Sequence, residues 1–265
     1  MKFQLFHVDA FADKIFSGNP AAVCVLPHWL SDDTLLAIAR ENNLPATAFL
    51  VRDEDLFHIR WMTPEYELDL CGHGTLAAAH VIFNYLEPGW KKVNPQSRTV
   101  SLSVSRDGEY ITLNFSAKNI ESCAIDLLEQ GLGILPIEVY RHKNERCVAV
   151  LDSEDDVTQL KPDMHILKNL DQIGVIVTAP GRDVDFASRT FYPRKIISED
   201  PVTGVSHCLL APYWSKRLNK SQLQAKQLSQ RGGEIICLLD GDRVLLSGKA
   251  VTYMQGMVED NVMTA

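Results

Sequence analysis

The chain has 265 residues, of which 46% are hydrophobic and 23% charged, with a net charge of −8. That length suffices for one large domain or two modest ones with real cores, and the composition is that of an ordinary globular protein. The acidic balance argues against nucleic acid or an anionic membrane as the main partner, because both require a basic surface.

In chain order, residues 2–9 alternate as a first strand and lack the apolar core and cleavage site of a signal peptide. Gly18-Asn19-Pro20 is a turn before a strand over 21–26, and Ser31-Asp32-Asp33 marks the start of a helix with apolar periodicity over 35–40. Strands follow over 47–52 and 56–62, then a helix from Gly74 to about residue 85. Residues 76–83 of that helix are apolar almost all round, which calls for a sheet wrapped about a central helix. Residues 100–106 and 109–115 form a hairpin around Asp107-Gly108.

The polar stretch 116–123 is the expected boundary, giving halves 1–117 and 118–265, with the last strand a candidate to return to the first half. Beyond it the pattern predicts helices over 124–130, 153–160 and 165–170. Strands are predicted over 139–142, 147–151, 175–179 and 185–191, then a second apolar helix. The tail is strand-rich over 224–229, 233–239, 244–247 and 251–257. No apolar run is long enough to span a membrane. The six cysteines show no CxxC pair and no zinc-like spacing, and most lie in apolar runs. A reduced, cytoplasmic protein is the expectation.

One sentence is written twice. His58-Ile-Arg60-Trp-Met-Thr-Pro64 leads to Cys71-Gly72-His73-Gly74-Thr75 and an apolar helix. Phe186-Ala-Ser-Arg189-Thr-Phe-Tyr-Pro193 leads to Asp200-Pro-Val-Thr203-Gly204 and another. Arg and Pro keep the same separation in both copies. A helix starting on such a loop offers unpaired N–H groups and the positive end of its dipole, which suits an anion. Two of them imply two half-sites closing on one small acid.

Further strings occur in order: Asp9-Ala-Phe, Phe16-Ser-Gly-Asn-Pro-Ala-Ala-Val, Asn43-Leu-Pro45-Ala46-Thr-Ala-Phe, Glu199-Asp-Pro-Val-Thr-Gly, Pro212-Tyr-Trp and Ser229-Gln-Arg-Gly-Gly233. With Cys71-Gly-His-Gly-Thr, they resemble the phenazine-biosynthesis PhzF-like family over essentially the whole chain. The resemblance implies the α+β, duplicated diaminopimelate epimerase-like fold: two similar domains, each a sheet rolled around a central helix, with the active site in the cleft between them. It also implies proton transfer without cofactor or metal on a small carboxylic acid, and a homodimer. The substrate carboxylate would meet Gly72, Gly74, Thr203 and Gly204, with Pro45 and Ser206 as further binding candidates. The catalytic candidates are His73, Asp200, Cys71 and the position of Ala46.

The departures limit how much activity carries over. Where the family has its Glu base this chain has Ala46, and Val205-Ser206 replaces the family's Ser-Ala. Three readings of Ala46 stand open: an engineered removal, natural drift in a binding paralogue, or acid/base work done by other groups. Cys71, at a helix start, is either an activated thiol or a packed structural one. Thr203 holds the matching place in the second repeat, so a two-thiol racemase is not available. His73 either shuttles protons or caps backbone. Asp200 takes an amine or a proton, or caps a helix. His80 reads as a core histidine, Glu199 as a less favoured acid, and Arg231-Gly-Gly233 as a turn, with no dinucleotide fingerprint and no metal-ligand cluster. The leading reading is a cofactor-independent isomerase or epimerase of a small amino or hydroxy acid. The alternatives are a silent small-acid-binding paralogue and a thiol racemase using Cys71.

Overall fold

In the computed structural model residues 2–259 are described. The chain divides into two compact units, one running up to Asn114 and resuming at Ser247, the other spanning Phe115–Leu246. In chain order the elements are β1 (Lys2–Ala10), β2 (Asn19–Leu26), α1 (Asp32–Asn42), β3 (Ala46–Asp53), β4 (Leu56–Met62), β5 (Glu67–Leu68), α2 (Gly72–Val81), β6 (Lys92–Val93), β7 (Val104–Asp107) and β8 (Tyr110–Ser116). There follow β9 (Glu121–Ser122), α3 (Leu128–Leu132), β10 (Glu138–His142), β11 (Arg146–Val150), α4 (Glu154–Gln159), α5 (Met164–Leu167), β12 (Gly174–Pro180), β13 (Phe186–Phe191) and β14 (Glu199–Asp200). Last come α6 (Gly204–Leu218), β15 (Gln222–Gln227), β16 (Gly233–Asp240), β17 (Arg243–Gly248) and β18 (Ala250–Glu259).

The first unit carries a six-stranded sheet in the order β18-β1-β2-β3-β4-β5. The parallel pair β2 and β3 reads as continuous apolar runs because both faces of the sheet are covered. One face receives α1, whose Leu35 and Ala39 pack with Phe3, Cys24, Phe49 and Met62. Ser31 caps α1 by accepting from Thr34 N–H, and Asn43 ends it in the left-handed region at φ 48°. The other face wraps α2, which lies against β1, β2, β3 and β18. Gly74 through Ala79 are all buried, as a helix without a polar face demands.

In the second unit the strand order is β17-β16-β15-β13-β12-β11-β10-β9, with β14 on β13. α6 packs on β15 and β16. Its Trp214 stacks on Phe186 at 5.8 Å and donates from Nε1 to Thr178 Oγ1 at 3.0 Å. Val175, Val177 and Ala179 turn to the opposite face, against Leu128, Leu132, Val157 and Leu167 of the short helices. Pro212 lies inside α6 and has no N–H for Cys208 O; Lys118 N–H takes that carbonyl instead, at 3.0 Å.

The doubled motif is doubled in three dimensions too. Arg60 of β4 meets Glu67 of β5 through Nε–Oε1 and Nη2–Oε2, both at 2.7 Å. Arg189 of β13 meets Glu199 of β14 through the same atoms at 2.7 and 3.0 Å. Each Glu stands on a two-residue strand, and the glycine that opens the following helix lies five residues on in both copies. The paired guanidinium and carboxylate thus fix the short hairpin from which each central helix departs.

Several expectations need correcting. α2 begins at Gly72, not Gly74, and ends at Val81 in a π-helical turn over Ile82–Leu86. The strand expected over 100–106 is β7, starting at Val104, and its two-residue loop is Gly108-Glu109 with Gly108 at φ +57°. The helix expected over 124–130 is the short α3, and α5 stops at Leu167. Strands of two residues, such as β5 and β14, have no periodicity to read.

Of the helical histidines, His207 is a core group, whereas His80, expected there too, is only half-buried. His80 Nε2 lies 2.9 Å from Thr252 Oγ1, and His207 Nδ1 lies 2.8 Å from Thr203 O. Burial pushes both pKa values down to about 4.

Two predictions follow from these contacts. Glu199→Gln leaves the largely buried Arg189 guanidinium short of its anion and is expected to cost on the order of 3 kcal/mol in urea unfolding with an unchanged m-value, whereas Glu67→Gln costs less because Asp32 still pairs with Arg60. For the histidines, the unfolded chain takes up protons from about pH 6.5 downward while the folded chain does not until about pH 4. Stability is therefore lost as pH falls through that window, by on the order of 3 kcal/mol for fully buried His207. The Tm difference between pH 7.5 and pH 5 should shrink in His207→Asn, and an unchanged difference would refute the assignment.

Candidate functional site

Each unit carries part of the candidate set, most of it at the start of its central helix. In the first unit the N-cap of α2 is Cys71, with extended backbone (φ −134°, ψ 107°) and a side chain that makes no capping bond. The Cys71 carbonyl accepts twice from Thr75, from N–H at 2.9 Å and from Oγ1 at 2.6 Å. The thiol turns instead to His73, its Sγ 3.6 Å from Nδ1 and 3.9 Å from Nε2. Cys71 is 5% exposed and His73 8%.

Burial pushes the His73 pKa down to about 4. The imidazole is then neutral at pH 7, with one nitrogen able to accept a proton and the other to donate a hydrogen bond. Gly74 has a packing reason to be glycine: an added Cβ would come within 2.9 Å of Trp61 Cδ1 and 3.0 Å of Cys71 Sγ. Trp61 Nε1, beside this contact, is buried without a hydrogen-bond partner among the described residues.

Ala46 belongs to a strand. It is the first residue of β3, fully buried and opposite Ala21 of β2, and only residues 43–45 form the connection. Pro45 is half-buried at its end. A methyl group with no titratable proton occupies the position.

In the second unit the N-cap of α6 is Thr203, again extended (φ −117°, ψ 99°). Its hydroxyl donates to Asp200 Oδ2 at 2.7 Å. Its carbonyl accepts from His207 Nδ1, as that of Cys71 does from Thr75, so both repeats bond the N-cap carbonyl from the side chain four residues on. Glu199 is engaged by Arg189.

Ser206, a binding candidate by sequence, sits in the first turn of α6. It is fully buried with Oγ 3.0 Å from Thr190 Oγ1. Thr190 follows Arg189 as Trp61 follows Arg60, so Ser206 on Thr190 repeats the packing of Gly74 against Trp61. A large–small pair in one repeat is a hydrogen-bonded pair of small residues in the other.

The structure thus brings Cys71 and His73 together in one unit, and Asp200 and Thr203 in the other. It adds Gln227, which the sequence reading missed. Gln227 is completely buried at the end of β15 and bonds to both Asp200 and Thr203. The available signal was its phase: Leu223, Ala225 and Gln227 alternate on the buried face, and a glutamine there needs polar partners. Among the described residues, no three His, Cys, Asp or Glu side chains gather as a metal site, and no helix is long and apolar enough to cross a membrane. No disulfide joins any of the six cysteines.

Known proteins sharing this construction are numerous. Residues 8–256 match the family described as phenazine biosynthesis-like protein. An uncharacterized isomerase of Pseudomonas aeruginosa is 46% identical over 97% of this chain and 98% of its own length. The crystal structure of a PhzF-family phenazine biosynthesis protein from Enterococcus faecalis superposes with a TM-score of 0.94 at 43% identity, covering 98% of this chain and all of that one. A hydroxyproline epimerase from Agrobacterium vitis shares the fold alone, with a TM-score of 0.61 at 11% identity over 97% of this chain and 92% of that one. The chain belongs to the phenazine biosynthesis-like PhzF family and has its duplicated, diaminopimelate epimerase-like α+β fold.

Proposed function

We propose that this protein is a cofactor-independent isomerase or epimerase that moves a proton on a small amino or hydroxy acid. The observation that carries the reading is the pair of alike helix starts, each with a polar side chain at hand: neutral His73 at one and Asp200, bonded to Thr203, at the other. The N–H groups of Gly72, Gly74 and Gly204 lie in the first helical turns, where a carboxylate is favoured. Thr203 and Pro45 complete the binding set. A carbon beside that carboxylate is the proton donor, and neutral His73 is the group able to accept and return the proton. Family membership and relatives named as isomerases support the reaction class.

Ala46 lowers the expected rate. Losing a general base typically costs about 10²–10⁴-fold, so the chain as it stands is a slow catalyst. A second reading rests on the Cys71–His73 contact: the thiol, 3.6 Å from the imidazole, is the proton carrier and His73 its partner. In the third, the chain binds the acid and does not turn it over.

Deuterium wash-in separates the three. Proline, hydroxyproline, other small amino acids and cyclic dienoic amino acids are incubated in D₂O with the protein, and exchange at carbon is read by NMR. Slow exchange by the chain and a gain of about 10²–10⁴-fold in Ala46→Glu are expected, with folding of the variant checked by its Tm. No exchange by the chain alongside clear exchange by Ala46→Glu would identify a binding protein that lacks its base. Cys71→Ala at the unmodified rate assigns the proton to His73, and loss of exchange in it, with block by iodoacetamide, assigns it to the thiol.

A further inference from the structure

Every polar atom of the Gln227 side chain is engaged at the start of α6. Oε1 accepts from Thr203 N–H at 2.8 Å. Nε2 donates to Asp200 O at 2.6 Å and lies 3.1 Å from Thr203 Oγ1. The two backbone partners settle the amide's orientation: turned over, it would set N–H against N–H and oxygen against oxygen. Nε2 is therefore the group beside Thr203 Oγ1, and it can only donate. The hydroxyl accepts that bond, and its single proton goes to Asp200 Oδ2, 2.7 Å away.

We infer that Gln227 is a positioning residue: it sets the direction of a hydrogen-bond relay from its amide through the Thr203 hydroxyl to the Asp200 carboxylate. The relay keeps Oδ2 of Asp200 an acceptor and fixes the orientation of the carboxylate. Gln227 also occupies the N–H of the N-cap itself, so the anion-binding donors of α6 begin at Gly204. The inference rests on Asp200 belonging to the site, as proposed above. The first repeat has no counterpart: Leu68 stands where Asp200 stands, one residue after Glu67 as Asp200 follows Glu199.

A substrate-free measurement tests it. The side-chain carboxyl carbons of ¹³C-labelled aspartate are followed by NMR through a pH titration, with Asp200→Asn assigning the signal. The titratable and charged neighbours are Glu199, paired with Arg189, and the neutral phenol Tyr192, which faces Asp200 alongside Arg146 and Lys195. Donation to a carboxylate favours its charged form, so removing the donor should raise the Asp200 midpoint by about one unit. Gln227→Met and Thr203→Val are each expected to do this, the double variant no more than either, and Thr203→Ser to leave it in place.

Thr203→Val keeps both backbone bonds of Gln227, so it remains informative should Gln227→Met fail to fold. An Asp200 midpoint unmoved in Thr203→Val, or additive shifts in the double variant, overturns the relay even if wash-in succeeds. The expected shifts without exchange from any compound leave the relay standing and overturn the isomerase reading.

Discussion

A helix with no polar face cannot rest on a surface, and this constraint organises the first unit. The run Leu76-Ala-Ala-Ala has apolar side chains all round, so water must be kept from every side. β1, β2, β3 and β18 do this by curving about α2, which requires the last strand of the chain to pair with the first. The small Ala77, Ala78 and Ala79 let the strands come close. With the helix body enclosed, only its first turn is available for chemistry, and Gly72, His73 and Gly74 stand there.

The two repeats keep one scaffold and differ in reactive groups. Both retain the Arg–Glu clamp, the five-residue step to glycine, an extended N-cap residue and a side-chain bond to the N-cap carbonyl. These features hold the short strand and the N-cap residue at the point where each helix leaves. The changes fall on side chains at the helix mouth: Cys71 against Thr203, His73 against Val205, Leu68 against Asp200. One half offers a buried, neutral imidazole beside a thiol, and the other a carboxylate held by a hydroxyl.

Much of this was legible from local pattern. The capping signal at Ser31, the apolar run of α2, the alternation of β1 and the doubled Arg-to-glycine motif each lie within a few turns or residues, so spacing reveals them. Failures came where local pattern is short or ambiguous. β5 and β14 are two residues long, yet they carry the Glu partners of Arg60 and Arg189. Ser206 and Val205 differ by one step along α6, and the loop sequence could not say that the serine hydroxyl turns into the core toward Thr190.

By itself the sequence determined the duplication, the two glycine-led helix starts and the family resemblance, because each is a matter of residue type and spacing along one stretch of chain. Tertiary structure decided which side chains have committed partners. Gln227 reaches Thr203 across 24 residues, Arg60 finds Asp32 across 28, and Trp61 closes on Gly74 through a contact no spacing encodes. Hydrogen bonds and close packing act over a few ångströms, so such partners emerge only once the strands that carry them have been laid side by side.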